Sequence, residues 1–477
     1  MFDTQQLNSI GFRFVSDSVE VMSPYGEELK RRPRLYTRKE ADELKAEQRN
    51  IESLIGAVKN NVTAVNRVMR FMMPLKDIRR SIKNLGERTL SEVELFELKR
   101  FLLQLELLAP AAAEIGGRLS GVEIFAIPEA LDIIDPDGTR SPSFYVSDRL
   151  SERLAQIRRE RRLVDEAMKK GDASVELTVK RTRLAAEEDD ENARVCGVIC
   201  ERLRPFTDGL LRNIGSIARL DFALGKARLA ERMNAVIPEV GSEEFTVNGM
   251  VNPCFAEGLE AKGRSFVPVS MKLELGSVVI TGANMGGKSI AIKTLALNAL
   301  LAMSGFAVFA ESMKLPFLDD MFIMSEDRED ARSGLSSFGG EMKAFDNMLR
   351  ETEEKESILV LLDEFARGTN PHEGAALVRA AAKLFNLRNN TYAVIATHFD
   401  GVAKLARLHY QVAGLRNTET ERLSAELKAG GTDLLASIMD YGLYPVSKDE
   451  EPPRDAVKII RAMGVSGEFS SLIDNIQ

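Results

Sequence analysis

The sequence contains few residues that could cross-link the chain or hold a metal. Its 477 residues include three cysteines, three histidines and no tryptophan. So few cysteines exclude a scaffold stabilised by disulfides. Cys196 and Cys200 are four residues apart in an apolar stretch, but no other cysteine or histidine lies near them in sequence to complete a zinc site. We therefore expect both to be core residues of a helix.

The sequence also lacks a basic surplus and long apolar runs. Lys and Arg number 64 against 72 for Asp and Glu, which gives a formal net charge of -8. This balance counts against a protein that works mainly by gripping the phosphate backbone of nucleic acid. No apolar run approaches the length of about 20 residues that is needed to cross a bilayer. The N-terminus lacks both the basic and the apolar region of a signal peptide. We expect a soluble, cytoplasmic protein without membrane contacts.

The chain is too long for one compact core and predicts two or three domains. Residues 1–237 have apolar residues spaced three and four apart and few helix breakers, which indicates an all-α region. Within it, Pro110 is expected to end a buried helix. Residues 238–420 alternate short apolar strands with helices, which indicates a mostly parallel sheet covered by helices. Residues 421–477 are expected to form a helical C-terminal element.

A charged stretch over residues 151–192 predicts a long exposed helical arm. Its arginines could contact nucleic acid, but acidic residues are interleaved with them, so we interpret the stretch as the solvated face of a helix. Residues 1–240 carry a formal net charge of +1 and residues 241–477 one of -9, so an anionic partner would fit the N-terminal half better. The arginines in question are Arg153, Arg158, Arg159, Arg161 and Arg162.

The strongest pattern is a glycine-rich segment, residues 282–289, which fits Gly, four residues, then Gly-Lys-Ser. In such a segment the glycines let backbone N–H groups approach phosphates, Lys288 would reach the β and γ phosphates, and Ser289 would bind Mg²⁺. An apolar strand enters the segment and a helix is expected to leave it, as a nucleotide-binding loop requires. The residues expected to contact the nucleotide here are Gly282, Asn284, Met285, Gly286, Gly287, Lys288, Ser289 and Ile290.

Two further predicted strands end in polar residues, one in Asp363 and Glu364 and the other in Thr397-His398. Ligands of open α/β sheets bind where the carboxyl ends of the strands meet. Asp363 is therefore predicted to hold Mg²⁺ through water, and Glu364 to orient or deprotonate an attacking water. His398 could reach a γ-phosphate, whereas His372 and His409 are expected to have structural roles only.

Together these motifs resemble the ATPase domain of the MutS family, a branch of the ABC-type ATPases. The resemblance covers residues from about 240 to 477. It implies an α/β P-loop (ABC-type) ATPase domain with a mostly parallel sheet, preceded by an all-α core and lever domain, and Mg²⁺-dependent ATP hydrolysis. It rests on Thr281 to Ser289, Ser333 to Phe338 with Glu341 and Met342, Asp363 and Glu364 followed by Arg367 to Thr369, and Ala396 to His398.

The resemblance also implies a dimer, either a homodimer or a heterodimer with a related subunit, with composite ATP sites. Ser333, Ser336 and Ser337 of one subunit would face the nucleotide held by the other, and residues 421–477 would clasp the partner. Phe266 falls where the family stacks an aromatic ring on adenine, although a core role explains this residue about as well.

The helical half resembles the core and lever helices of the family more weakly, in residues 7–12, 23–27, 134–159 and 220–230. We expect the mismatch-reading and connector domains and a nuclease module to be missing, and the arm tip, residues 171–192, to be too short for a DNA clamp. A protein target is therefore favoured over DNA. One hypothesis is an ATPase subunit that reactivates a cobalamin-dependent amino-acid aminomutase. The alternative is a repair or recombination protein that binds the DNA backbone.

Overall fold

The computed structural model describes residues 2–31, 34–116, 119–170, 174–282, 287–325, 337–415 and 439–450. The chain divides into two compact units. Residues 20–33 and 50–228 form what we call the helical unit. Residues 1–19, 34–49 and 229–477 form what we call the α/β unit. No helix among the described residues is long and apolar enough to span a membrane.

The described part of the first 232 residues is helical. Short 3₁₀ turns occur at Arg38–Glu40, Asp148–Leu150 and Arg204–Phe206. The α-helices are α1 Thr4–Ser9, α2 Phe12–Asp17, α3 Pro24–Arg31, α4 Ala41–Asn60, α5 Val62–Met72, α6 Arg79–Glu87, α7 Glu92–Gly116, α8 Pro128–Ile134, α9 Glu152–Lys169, α10 Val175–Leu203 and α11 Thr207–Arg232.

Helix α7 runs through Pro110, so the prediction that this proline ends the helix is wrong. Pro110 is exposed, while Leu108 and Ala111 on either side of it remain buried. The missing N–H leaves the carbonyl of the half-buried Glu106 without its helical donor, and water can take that place. Burial of the apolar face thus outweighs the lost hydrogen bond.

Helices α9 and α10 form the predicted arm as an antiparallel hairpin whose contacts include Ile157, Val164 and Leu184. The arm's arginines pair with acids: Arg158 and Arg161 both contact Glu188, at 2.9 and 2.6 Å. Because these guanidinium groups are paired, they hold the hairpin together rather than simply facing solvent. Cys196 and Cys200 are buried in α10, as expected of core residues.

The α/β unit contains ten strands and four further α-helices among its described residues, with a further 3₁₀ turn at Ala403–Leu405. The strands are β1 Glu239–Val240, β2 Phe245–Met250, β3 Val269–Leu273, β4 Gly276–Thr281, β5 Ser312–Leu315, β6 Asp320–Met324, β7 Ile358–Asp363, β8 Thr391–Ala396, β9 Leu408–Gly414 and β10 Asp440–Pro445. The helices are α12 Pro253–Glu260, α13 Lys288–Met303, α14 Ser337–Glu351 and α15 Pro371–Leu387.

Two sheets organise this unit. The larger has the strand order β10-β9-β4-β8-β7-β6 and is parallel except for β10. Its strands β4, β7 and β8 are buried along their whole length, as expected for a parallel sheet covered on both faces. The smaller sheet, β1-β5-β2-β3, is mainly antiparallel, and the side chains of β3 alternate between buried and exposed. The fold is therefore the expected mostly parallel α/β arrangement with an additional antiparallel sheet.

The helices at the start of the sequence are divided between the two units. Residues 1–19 belong to the α/β unit, where the Gln6 side-chain amide donates to the Ile323 carbonyl at 3.0 Å. The Asn252 amide donates to the Ile10 carbonyl at 2.9 Å. Of the predicted C-terminal helical element, only residues 439–450 are described, and they include strand β10. This part pairs with β9 because β9 would otherwise have one unpaired edge.

Candidate active site

The candidate site lies at the carboxyl ends of the three neighbouring strands β4, β8 and β7. Ile280 and Asp363 are both in register with Ala396, so the three strands end at the same level. The backbone N–H of Thr397 donates to the Ile280 carbonyl at 3.0 Å, which extends the ladder one residue beyond β8. The predicted polar strand ends therefore meet at one edge of the sheet.

Lys288, near the end of the glycine-rich segment, is the first residue of helix α13. Its Nζ donates to the Gly282 carbonyl at 2.8 Å and lies 3.3 Å from Oε1 of Glu364. The side chains of Lys288 and Glu364 are only 3% and 9% exposed, so this ion pair is largely shielded from water. Gly287, the residue before the helix, has φ of 89°, a conformation that glycine adopts without the strain imposed by a Cβ.

Ser289 and Asp363 form the second contact of the site. The Ser289 hydroxyl donates to Oδ1 of Asp363 at 3.0 Å. Burial raises the pKa of the Asp363 carboxyl, and the negative charge of Glu364 raises it further, against the opposing hydrogen bond from Ser289. A cation would relieve this cost, and hydroxyl and carboxylate oxygens are the hard ligands that Mg²⁺ prefers. The donor set therefore fits Mg²⁺.

The Mg²⁺ would be held by few protein groups. The described ranges contain no cluster of three or more His, Cys, Asp or Glu side chains that could hold a metal by themselves. A site with one hydroxyl and one carboxylate leaves coordination positions for water and substrate oxygens, which is how Mg²⁺ is usually bound in phosphate-transfer sites.

Glu364 follows β7 on a strained stretch of backbone. Glu364 and Ala366 have φ of 56° and 59°, in the left-handed region that non-glycine residues seldom occupy. Two hydrogen bonds hold this stretch: Glu364 N–H to the Ala396 carbonyl at 3.0 Å, and Ala366 N–H to Oε1 of Glu341 at 3.2 Å. Such strain persists only where the surroundings impose it, and it concentrates at functional sites.

The strained backbone directs the Glu364 carboxylate between two partners. Its Oε1 faces Lys288, and its Oε2 contacts Nδ1 of His398. The His398 ring packs against Phe399 with their centroids 4.5 Å apart, and about a third of its side chain (36%) is exposed. Lysine, carboxylate and imidazole therefore form one continuous chain at the sheet edge.

The structure brings together five of the residues predicted for the site, Lys288, Ser289, Asp363, Glu364 and His398, with the flanking Gly282 and Gly287. Ile290 lies in the first turn of α13, where its carbonyl accepts from Thr294, and Ser337 begins α14. Phe266 is half-buried between α12 and β3. The remaining predicted residues, Asn284, Met285, Gly286, Ser333 and Ser336, lie outside the described residues.

Three residues at or beside the site were not predicted as part of it: Glu341, Tyr441 and His409. Cδ1 of Tyr441 lies 3.3 Å from the point that a Cβ on Gly287 would occupy, although the two residues are far apart in sequence. Burial raises the pKa of the Tyr441 hydroxyl, against the nearby positive charge of Arg264. The sequence pointed to Glu341 only through the Glu341-Met342 pair of the MutS resemblance. It gave no such signal for Tyr441 and His409, whose contacts arise from tertiary packing.

The fold and the clustered side chains define an α/β protein with a candidate active site at the carboxyl edge of its parallel sheet. Residues 278–443 match the family model for MutS domain V, a range that contains this edge. The matched relatives are proteins named Endonuclease MutS2, and residues 278–443 of this chain belong to the MutS domain V family.

The relatives match part of this chain. The protein from Thermomicrobium roseum is 33% identical over 256 residues, 52% of this chain and 32% of that protein. The protein from Leuconostoc mesenteroides is 33% identical over 229 residues, 48% of this chain and 28% of that protein. The one from Clostridium botulinum strain Langeland is 29% identical over 309 residues, 64% of this chain and 38% of that protein. The chain thus spans about a third of the length of these curated relatives.

Proposed function

We propose that the chain is a Mg²⁺-dependent ATPase whose α/β unit is a P-loop (ABC-type) ATPase domain of the MutS kind. The observation that carries the proposal is the convergence of Lys288, Ser289, Asp363 and Glu364 at the carboxyl edge of parallel strands. The match of residues 278–443 to the family model for MutS domain V supports it. No role in the fold alone requires a buried lysine, two buried acids and a strained backbone at one point.

The roles of the side chains follow from their positions. Lys288 would bind the β and γ phosphates, which compete with the Gly282 carbonyl and Glu364 for its ammonium group. Ser289 and Asp363 would hold Mg²⁺, which when bound neutralises charge on the transferred phosphoryl group. Glu364 would orient the attacking water and accept its proton, and His398 would keep the Glu364 carboxylate in place while facing the γ-phosphate.

The test of this proposal is Glu364→Gln, which keeps the size of the side chain and removes the base. We expect ATP to bind at least as tightly as in the wild type, since Lys288 is released from its ion pair. Hydrolysis should slow by about a hundredfold or more, the loss expected when a water-orienting base is removed. Glu353→Gln is the matched control, because Glu353 is exposed in the turn after α14. Undiminished hydrolysis in Glu364→Gln would remove Glu364 from the mechanism.

We further propose a homodimer with composite ATP sites, in which the serine-rich residues before α14 complete the site of the other subunit. The support is the resemblance to MutS ATPase domains, and the hydrogen bond from Ala366 to Glu341 that joins α14 to the Glu364 stretch. Light scattering of Glu364→Gln with and without Mg²⁺ and ATP tests it. An ATP-dependent doubling of mass, or a constant dimer, agrees with the proposal, and a monomer in both conditions contradicts it.

We propose that the target of the arm is a protein rather than DNA. Arg158 and Arg161 are paired with Glu188, and Arg162 lies 3.5 Å from Asp148, so these guanidinium groups already have anionic partners. Phosphate binding would have to break these pairs. We expect no binding of duplex or branched DNA even at low salt, and co-purification of a protein with the ATP-bound Glu364→Gln variant. Tight DNA binding that weakens steeply with salt would restore the DNA alternative.

A further inference from the structure

Strand β10 and the residues after it contact Gly287 directly and Thr281 through His409, on the two sides of the glycine-rich segment. At its start, the Tyr441 ring lies against Gly287, the last residue before Lys288. At its end, the Val446 N–H donates to the His409 carbonyl at 3.0 Å, and the next residue, Ser447, contacts the His409 ring. His409 lies on β9, between β10 and β4 in the sheet.

The His409 ring has a defined tautomer. Its Nδ1 is 2.8 Å from the Ser447 carbonyl, which can only accept, so Nδ1 carries the proton. Its Nε2 is 2.8 Å from the hydroxyl of Thr281 and therefore accepts from it. The Gln411 amide donates to the same hydroxyl at 3.4 Å, which is consistent with Thr281 donating to the ring. The buried ring thus connects strand β4 with the segment after β10 through its two nitrogens.

Thr281 is the last residue of β4, and the next residue is Gly282, whose carbonyl accepts from Lys288. The sequence of contacts Ser447, His409, Thr281 therefore ends one residue from the lysine contact. A buried imidazole needs a partner at each nitrogen, and here the two partners lie on separate segments, so the ring joins these segments. The bridge fixes the position of β10 relative to the entrance of the glycine-rich segment.

We propose that His409 is a positioning residue that couples nucleotide binding at Lys288 to residues 440–450. Nucleotide bound at Lys288 would stabilise the nearby Thr281 and Gly287, and through His409 and Tyr441 it would stabilise β10. The inference rests on the proposed nucleotide binding and adds to it a path by which the site influences the C-terminal residues.

Two substitutions each remove one of the two hydrogen bonds of the His409 ring and keep the other. In His409→Asn the amide can reach the position of Nδ1 and keep the Ser447 bond, and in His409→Gln it can reach Nε2 and keep the Thr281 bond. Val247→Ala is the control for general loss of stability, because Val247 is buried in the other sheet of the same unit. The readout is hydrogen exchange of the amides of residues 440–450 in the full chain, with and without Mg²⁺ and a non-hydrolysable ATP analogue. Binding of the analogue is measured in parallel.

We expect the analogue to slow exchange in residues 440–450 of the wild type and Val247→Ala by about tenfold, an effect on the scale of 1.4 kcal/mol per factor of ten. Both His409 variants should lose most of this protection while their dissociation constants rise only about fivefold, as for one lost hydrogen bond. Full protection in both His409 variants would overturn the proposal while leaving nucleotide binding intact. Equal loss of protection in Val247→Ala would also overturn it. A wild type that binds no analogue would overturn the proposed function and this inference with it.

Discussion

Each unit of the molecule contains a buried lysine paired with a carboxylate. In the helical unit, Lys99 lies 3.0 Å from Asp135, with side chains 5% and 4% exposed. In the α/β unit, Lys288 lies 3.3 Å from Glu364, with side chains 3% and 9% exposed. By residue type, distance and burial the two pairs are nearly equivalent, yet their surroundings differ.

The pair in the helical unit is satisfied by its own loop. Lys99 also donates to the Ser143 carbonyl at 2.9 Å, and Asp135 accepts from Thr139 and from the backbone of Arg140. Burial alone would raise the pKa of the Asp135 carboxyl, but these hydrogen bonds lower it on balance. The pair therefore closes the loop after α8.

The pair in the α/β unit stands beside further charged and polar groups. Glu364 is on left-handed backbone, contacts His398, and is next to Asp363, whose pKa is raised by burial. The difference teaches that burial of an ion pair does not by itself mark a functional site. The site in the α/β unit is distinguished by a second carboxylate, Asp363, whose charged form is disfavoured by burial, and by the strained backbone of Glu364.

The largest effect on stability should come from breaking the pair in the helical unit. Asp135→Asn leaves Lys99 buried without its counter-charge, and we expect a loss of about 3–5 kcal/mol in the free energy of unfolding. ATP hydrolysis per folded molecule should not change. Urea unfolding measures the loss, with Asp132→Asn as the control because that side chain is 67% exposed. An equally small effect in both variants would show that the Lys99 pair does not hold its loop.

Asp363→Asn should act in the opposite way. We expect hydrolysis to fall by about a hundredfold, since the proposed Mg²⁺ ligand is lost. The raised pKa of Asp363 means that the folded state holds this carboxylate proton more tightly than the unfolded state, so its contribution to stability declines as pH rises. Removing the charge should therefore leave the free energy of unfolding at pH 8 equal or higher. A Mg²⁺ titration of hydrolysis that matches the wild type would rule out this ligand.

Two glycines sharpen the comparison further. Gly287→Ala would place a Cβ 3.3 Å from the Tyr441 ring at φ of 89°, and strain of about 1–2 kcal/mol should weaken ATP binding about tenfold. Gly138 in the helical unit also has positive φ, at 64°, but open space around it. Gly138→Ala should cost a similar strain in stability and leave ATP binding unchanged. Titration of a fluorescent ATP analogue distinguishes the two variants, and equal affinities would contradict the placement of Gly287.

The smallest effect concerns pH. Burial lowers the pKa of His409 below its ordinary value of 6.5, against the opposing hydrogen bond to Ser447. As pH falls, His409 is therefore protonated in the unfolded chain before it is protonated in the folded one. The α/β unit should lose stability below about pH 6.5, with a slope that corresponds to the uptake of at most one proton. Because the pKa of Asp135 is lowered, its contribution to the stability of the helical unit is kept until pH falls below the ordinary value of 3.8. Urea unfolding at several pH values tests this, and His409→Asn should remove the slope between pH 7.5 and 5.5.

The residues at the sheet edge could be predicted from the sequence because each of them follows directly from a strand. One strand leads through the glycine-rich segment to Lys288, and another ends in Asp363 and Glu364. If the sheet is parallel, the carboxyl ends of both strands lie at the same edge. Contacts between segments that are distant in sequence could not be predicted in this way. Examples are the contact of Tyr441 with Gly287 and those of His409 with Thr281 and Ser447. Pro110 was misjudged because the burial of a whole helix face outweighs one local preference.

The most direct test of the central claim is to remove each buried lysine in turn and measure ATP hydrolysis and the unfolding midpoint together. Lys288→Met should reduce hydrolysis to below about 1% of wild type while the midpoint shifts by no more than about 3 °C. Lys99→Met should lower the midpoint by about 10 °C and keep hydrolysis per folded molecule. Hydrolysis that survives in Lys288→Met, or that is lost equally in both variants at matched folding, would contradict the account.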